Sequence, residues 1–183
     1  MNQEPEDEGR VEFLLEERAR RLARPPKKRG ERGDLLHFLA FSLGPETLAA
    51  DLSDILEARP LPELTPVPGA PGYVLGLVNL RGAIHPVVDL APLLGLPARD
   101  LSAEPHIVRA PVAADKAGEG ASLCFVTDGR PWSMTAEKSA LSPAPDSMAE
   151  AARPFVRGSL PGPVLILDLI RLLSDNRLVV DQE

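Results

Sequence analysis

The sequence predicts a mainly β fold made of two related units that pack against each other. Short runs rich in Val, Ile and Leu alternate with clusters of Gly, Pro, Asn and Asp, a pattern typical of strands joined by turns. The motif Asp-Leu-x-x-Leu-Leu occurs at residues 89–94 and again at residues 168–173, each time after an apolar strand and an Arg-Gly pair. Either unit alone would bury little of its surface, so we expect the two units to share a core.

Composition narrows the possible function classes. The chain has 183 residues, of which 44% are hydrophobic and only 4% aromatic. Its core must therefore be mostly aliphatic, and aromatic surfaces on which nucleotide bases stack are scarce. A net charge of −7 disfavours a surface for phosphate groups. We expect no nucleic-acid partner.

Residues 1–33 are predicted to form an N-terminal helix followed by a basic linker. Acidic residues precede basic residues along this segment, which complements the helix dipole, and two prolines at residues 25 and 26 end the helix. A narrow apolar stripe consists of Val11, Leu14, Leu15 and Leu22. Two interpretations remain open: the stripe docks on the body or on a partner, or the segment is a half-formed surface helix.

Membrane insertion is not expected. The beginning of the chain lacks the basic and apolar regions of a signal peptide. The most apolar late run, residues 164–173, is short and contains Asp168 and Arg171. These features predict a cytoplasmic protein.

A compact body is predicted for residues 34–175, with residues 176–183 as a tail. Its first part should contain strands, a bend and an irregular proline-rich connection, because apolar runs there are separated by turn residues and then by five prolines. The predicted elements are a strand at 35–43, a turn at 44–47, a strand at 48–52, a bend at 53–54, an extended segment at 55–58 and the connection at 60–71.

A β-hairpin at residues 74–90 organises the chain. Two aliphatic runs flank a four-residue polar break. We expect Asn79 to open a type I turn, with its side chain accepting from the backbone two residues on, and Gly82 to be left-handed. This geometry leaves Arg81 at the tip, where it is either solvated or presented to another protein.

The second part of the body repeats the same kinds of element. Asp89 should cap a short helix at residues 90–94, and Pro131 should restrict the strand around it to a sheet edge or a bulge. The other predicted elements are paired strands at 106–112 and 122–127 around a flexible loop at 113–120, a turn at 128–129, a helical turn or two at 144–153, and a final strand and helix.

The sequence shows no catalytic or metal-binding pattern. His37, His85 and His106 are isolated, without a second ligand at a suitable spacing, so no metal site and no cofactor are expected. Cys124 lies in an apolar run and is expected to be an inert core thiol. Three aspartates at strand ends suggest a carboxylate site, but helix capping and turn formation explain Asp89, Asp128 and Asp168 without catalysis. We expect no enzymatic activity.

Residues 39–44, 67–82 and 86–90 resemble the chemotaxis coupling protein family, CheW. The sequence Val-Pro-Gly-Ala-Pro-Gly-Tyr-Val-Leu-Gly-Leu-Val-Asn-Leu-Arg-Gly at residues 67–82 is close to the signature of that family. The resemblance extends over about residues 39–173, and its second half matches only in outline. Residues 127–132 replace the alternating apolar strand that is usual in the family.

The resemblance implies a fold of two packed, five-stranded, SH3-like β-barrels with short helices. The first barrel would span about residues 34–95 and the second about residues 105–175, with an exchange of elements between them possible.

The resemblance also implies a function. Family members are non-catalytic adaptors that couple the regulatory domain of a chemotaxis histidine kinase to the cytoplasmic tip of methyl-accepting chemoreceptors, at membrane-associated receptor arrays. The receptor tip would lie in the groove between the barrels. Carried over by position, Arg81, Ile55 and Glu57 would bind partners, and Asn79 and Gly82 would shape the turn. The alternative is a divergent scaffold that binds a kinase or another signalling protein without bridging to receptors.

Overall fold

A computed structural model describes residues 35–112 and 121–178 of the chain. The predicted N-terminal helix and basic linker, the loop at 113–120 and residues 179–183 of the predicted tail lie outside the described residues. Within the described ranges, no helix is both long enough and apolar enough to cross a membrane.

The described residues form ten strands, one α-helix and four short 3-10 helices. The strands are β1 Leu35–Leu43, β2 Glu46–Asp51, β3 Glu57–Pro60, β4 Val74–Leu80, β5 Ala83–Val88, β6 His106–Pro111, β7 Ser122–Thr127, β8 Trp132–Glu137, β9 Val156–Leu160 and β10 Val164–Leu167. The helices are α1 Leu169–Leu173 and the 3-10 helices Leu52–Asp54, Lys138–Ala140, Glu150–Phe155 and Asn176–Leu178.

The strands form two five-stranded sheets, which confirms the mainly β fold. Sheet I has the strand order β8-β1-β2-β10-β9, and sheet II has the order β3-β6-β7-β5-β4. Each sheet is antiparallel except for one parallel contact, β10 with β2 in sheet I and β5 with β7 in sheet II. This arrangement is consistent with a pair of SH3-like barrels.

The sheets do not follow the division at about residues 34–95 and 105–175. Sheet I combines the first two strands with the last three, and sheet II contains the five strands between them. The parallel pairing of β10 with β2 brings the end of the body beside its beginning. The outer limits of the predicted domains stay a prediction, although residues 176–178 form a 3-10 helix from which Leu178 packs on the core.

The two sheets correspond strand for strand. The repeated Asp-Leu motifs follow β5 in sheet II and β10 in sheet I, and each of these strands pairs in parallel with a neighbour. Val87 lies opposite Cys124 in sheet II as Ile166 lies opposite Ala49 in sheet I. The strands of the two sheets are therefore paired in equivalent ways, as the repeated motif predicts for two related units.

A glycine marks the same place in both sheets. A Cβ atom added at Gly76 of β4 would lie 2.6 Å from the carbonyl oxygen of Thr65, and one added at Gly158 of β9 would lie 2.6 Å from that of Ser142. Thr65 forms a bridge with β4, and Ser142 forms a bridge with β9. In each sheet the segment after one edge strand thus pairs with the other edge strand, and only glycine permits the close approach.

This correspondence corrects the pairing of the two Arg-Gly dipeptides. Arg81 and Gly82 form the turn between β4 and β5, whereas Arg157 lies on β9 and forms an ion pair with Asp51. Since Gly158 corresponds to Gly76, Arg157 corresponds to a residue inside β4 and not to Arg81. The two dipeptides have the same two residues but do not occupy equivalent positions in the two sheets.

The helix predicted at residues 90–94 is wrong, and its counterpart explains why. In α1, the side chain of Asp168 accepts a hydrogen bond from the Arg171 backbone N at 3.0 Å, as a helix cap does. The matching position of the first motif is Pro92, which has no N–H to donate. Asp89 accepts instead from the Ala91 backbone N at 3.0 Å, and residues 91–95 form turns.

The core of the described part of the chain consists of three buried clusters, one between the sheets and one within each sheet. The central cluster lies between the sheets, since it combines Phe41 and Leu48 of sheet I with Phe125 and Val108 of sheet II. A second cluster belongs to sheet I alone and a third to sheet II alone. The central cluster confirms that the two units share a core.

Candidate functional site

The turn between β4 and β5 is a two-residue turn. Leu80 pairs with Ala83, and the residues between them, Arg81 and Gly82, have φ angles of 55° and 89°. Positive φ at both central positions defines a type I′ turn, which matches the twist of paired strands, so the predicted type I turn is wrong. The Asn79 side-chain oxygen accepts from the Gly82 backbone N at 2.8 Å, three residues on rather than two.

Arg81 lies at the tip of this hairpin and is exposed. Its side chain has a relative exposure of 78%, and its Nη2 lies 3.5 Å from Oε1 of Glu57. Among the described residues, Arg81 is the only non-glycine residue with a positive φ. A backbone conformation of this kind costs free energy for a residue with a Cβ atom, and such residues cluster at functional sites.

Glu57 lies at the centre of an arginine cluster, by which we mean Arg59, Arg81 and Arg109. Oε1 of Glu57 lies 3.6 Å from Nη1 of Arg59, and Oε2 lies 3.7 Å from Nη2 of Arg109. Glu57 is 15% exposed, Arg109 24% and Arg59 41%. One largely covered carboxylate is therefore shared by three guanidinium groups.

Strand pairing positions these side chains. Glu57 and Arg59 are two residues apart in β3, so both side chains point to the same face of sheet II. Arg109 of β6 lies directly opposite Glu57 in the ladder. The β4–β5 hairpin lies at the opposite end of the strand order from β3, and it adds Arg81. Two strands and one turn thus bring one acidic and three basic side chains together.

A histidine and a serine extend the arginine cluster. Nη1 of Arg109 lies 3.4 Å from Oγ of Ser122, and the same Oγ lies 3.2 Å from Nδ1 of His85. Cys124 lies opposite Arg109 in the ladder. Burial raises the pKa of the Cys124 thiol to about 11, with Arg109 opposing the shift and Glu57 adding to it. The thiol is therefore protonated at neutral pH and adds no negative charge beside the arginines.

The structure brings two of the three predicted partner-binding residues into contact. Glu57 and Arg81 are in contact, whereas Ile55 is partly buried against the central cluster between the sheets. Asn79 and Gly82 shape the turn by the hydrogen bond between them. The partner-binding roles of these residues stay a prediction.

Sequence reasoning missed Arg59 and Arg109. Arg59 follows Glu57 at the two-residue spacing of a strand face, a signal that was available. Arg109 lies in the middle of an apolar strand, and its contact with Glu57 depends on the register of β3 against β6. That register cannot be deduced from the local pattern.

The aspartates at strand ends have structural contacts. The guanidinium group of Arg99, which is 9% exposed, forms ion pairs with both Asp89 and Asp128. Asp128 also accepts from the Gly44 backbone N at 2.6 Å. Arg99 and the two aspartates therefore tie the end of β5 and the turn before β8 to the β1–β2 turn. In residues 35–112 and 121–178, no group of three or more His, Cys, Asp or Glu is placed to hold a metal ion.

A second surface feature is a largely apolar cleft of about 490 Å³. Its walls come from the β1–β2 turn, residues 94–97, residues 145–152 and β10. Leu48, Leu94 and Leu165 lie along it together with Met148 and Val156. Apolar side chains on both sides suit a helix that has one apolar face.

Comparison with known proteins decides the family. A family profile described as CheW-like domain matches residues 37–177. The chain belongs to the CheW-like domain family. The match covers both sheets, so the family's fold extends across the whole described body.

Relatives of the CheW-like chain agree with this assignment. It is 32% identical over 123 residues to "Chemotaxis protein CheW" of Rhizobium meliloti, covering 67% of this chain and 76% of the relative. It is 30% identical over 123 residues to "Probable chemotaxis protein CheW" of Rhizobium etli, with the same coverage of 67% and 76%. The crystal structure of the scaffolding protein TtCheW from Thermoanaerobacter tengcongensis is similar with a TM-score of 0.61 at 25% identity, over 77% of this chain and 94% of that chain.

Proposed function

We propose that this CheW-like chain is a non-catalytic adaptor of bacterial chemosensory signalling, which couples methyl-accepting chemoreceptors to a chemotaxis histidine kinase. Relatives named chemotaxis protein CheW and a related scaffolding protein support this role. The proposed partners are the regulatory domain of the kinase and the cytoplasmic tip of the receptors, and the proposed place is the receptor array.

The observation that carries the proposal is the presentation of Arg81. Its guanidinium group is 78% exposed, and its single ion-pair partner among the described residues lies at 3.5 Å. Most of its five N–H donors are therefore free to bind another protein. Arginine is enriched among the residues that dominate the affinity of protein interfaces. The strained turn holds this side chain outward although asparagine or glycine would suit the backbone better.

The apolar cleft supports a second contact. Leu48 and Leu165 of sheet I and Leu94 from the segment after β5 line it. The receptor tip is a helical hairpin, and an amphipathic helix binds a groove through its apolar face. We place the receptor tip in this cleft and the kinase regulatory domain at Arg81.

The proposal is tested with purified components. The full chain is mixed with a kinase regulatory domain, with a receptor fragment, and with both, and the complexes are sized by light scattering after gel filtration. We expect a ternary complex, and we expect kinase activity on receptor-bearing membranes to change when the chain is added. A chain that binds neither component contradicts the proposal.

Variants separate binding from folding. Arg81→Glu should weaken kinase binding by about 2 kcal/mol or more, about 30-fold in Kd, with an unchanged melting temperature. Arg153→Glu changes another exposed arginine, which pairs with Asp146 at 3.7 Å, and serves as the matched control. Binding to the kinase without binding to the receptor fragment would support the alternative, a scaffold that does not bridge to receptors.

A further inference from the structure

The arginine cluster carries more positive charge than its surroundings neutralise. Each of its three members, Arg59, Arg81 and Arg109, carries one positive charge. Within the described part of the chain, Glu57 is the only carboxylate within 4.0 Å of these three guanidinium groups. Since the Cys124 thiol is neutral at pH 7, the local net charge is +2 in a chain whose overall charge is −7.

The donors of the cluster are poorly satisfied. The three contacts with Glu57 are 3.5 to 3.7 Å long, beyond the usual 2.7 to 2.9 Å of a charge-assisted hydrogen bond. The Nε atoms of Arg59 and Arg109 are buried and have no hydrogen-bond partner. Buried donors without partners are costly, so an acceptor that reached them would be bound favourably.

The repeat within the chain shows that the fold does not need this charge. The strand registers place Trp132 of sheet I where Glu57 lies in sheet II, and Ala40 where Arg109 lies. By the same registers, Met134 takes the place of Arg59. Sheet I has the same strand order with apolar residues at all three positions, so the polar cluster is a property of sheet II alone.

We infer that the arginine cluster is a carboxylate-binding site, and that the partner docking at the β4–β5 turn inserts an acidic side chain between Arg81, Arg59 and Arg109. Arginine presents its donors as a planar fork that matches the two oxygens of a carboxylate. Arg81 and Arg59 are the more exposed members, which leaves the cluster open to solvent on that side. This inference rests on the proposed function for the identity of the partner and not for the site itself.

The site is tested without a partner by NMR spectra of the arginine Nε–H groups of the full chain. Glutarate, a dicarboxylate, is the probe. We expect saturable shifts of the Arg59, Arg81 and Arg109 signals, weakened when NaCl is raised from 50 to 500 mM, with Arg153 unshifted. No shift at the cluster, or equal shifts at Arg153, overturns the carboxylate-binding site.

The contribution to partner binding is tested separately with the kinase regulatory domain. Arg59→Met and Arg109→Met keep an unbranched side chain as far as the position of Nε and remove the charged guanidinium group. Each should weaken binding about tenfold, whereas Arg153→Met should have no effect. If the wild-type chain binds the kinase domain and both variants bind equally well, the inserted carboxylate is refuted and the adaptor function stands. If the wild-type chain binds no partner, the adaptor function fails, and the glutarate experiment still decides whether the site binds carboxylates.

Discussion

Arg81→Asn should stabilise the fold and weaken partner binding at the same time. The substitution creates Asn-Gly, the residue pair that type I′ turns prefer, at a turn whose central φ angles are 55° and 89°. Asparagine tolerates the left-handed region better than arginine does. A glycine at position 81 would also tolerate it, but glycine would raise the conformational entropy of the unfolded chain more than asparagine does. Because Asn79 rather than Arg81 makes the side-chain hydrogen bond within the turn, that bond is retained.

The expected change in stability is a difference of two small terms. A left-handed residue with a Cβ atom costs about 1–2 kcal/mol, of which asparagine should recover about 1 kcal/mol. The lost ion pair with Glu57 is 3.5 Å long and joins an arginine that is 78% exposed. Exposed pairs of this kind contribute about 0–1 kcal/mol. The free energy of unfolding should therefore rise by between zero and about 1 kcal/mol, and the melting temperature by up to about 2–4 °C.

Partner binding should change in the opposite direction. Removal of the exposed guanidinium should cost about 2 kcal/mol, or about 30-fold in Kd for the kinase regulatory domain. Urea unfolding and calorimetric titration of the same preparations measure both quantities, with Arg153→Asn as the control. If Arg81→Asn lowers the free energy of unfolding by more than about 1 kcal/mol, Arg81 is structural; if it leaves the affinity unchanged, Arg81 is not part of the binding surface.

Three further predictions concern the body. Arg99→Met leaves two aspartates facing each other without their shared, 9% exposed guanidinium, so we expect a loss of about 3–5 kcal/mol in urea unfolding. Gly158→Ala places a Cβ atom 2.6 Å from a carbonyl oxygen and should cost about 1–3 kcal/mol, measured as a lower urea midpoint at unchanged slope. Burial, together with the nearby carboxylate of Asp51, raises the pKa of Asp54 above its ordinary value of 3.8. The charged form is thus disfavoured by folding, so Asp54→Asn should stabilise the protein at pH 7, and this gain should vanish below about pH 3 in a pH series of melting temperatures.

Local patterns in the sequence predicted the hairpin and its exposed arginine correctly. Aliphatic runs around Asn79 and Gly82 specify a turn within a few residues, and no distant contact changes that result. The helix at residues 90–94 was wrong because Pro92 removes the backbone donor that the matching α1 uses, although the two motifs share their other letters. Identical motif letters therefore do not guarantee identical local structure.

Contacts between strands distant in sequence could not be predicted. Arg109 lies 52 positions after Glu57 in the sequence, and the two meet only because β3 pairs with β6 in one register. The parallel pairing of β10 with β2 likewise joins strands that lie far apart in the sequence. The local sequence gives one signal of such a contact. An arginine inside an apolar strand, such as Arg109, is rarely buried without a polar partner on a neighbouring strand.

The two hairpins of the repeat differ in length, and the longer one, in sheet II, carries Arg81 at its tip. The pair Val78–His85 in sheet II corresponds to Leu160–Val164, the last pair before the turn in sheet I. The β4–β5 hairpin continues for two more residue pairs, which at about 3.3 Å per residue moves its tip about 7 Å further. These two added pairs place Arg81 in solvent, beyond the part of the hairpin that the two sheets have in common. The extension adds no buried residue other than Leu80, so its main effect is to place the turn in solvent.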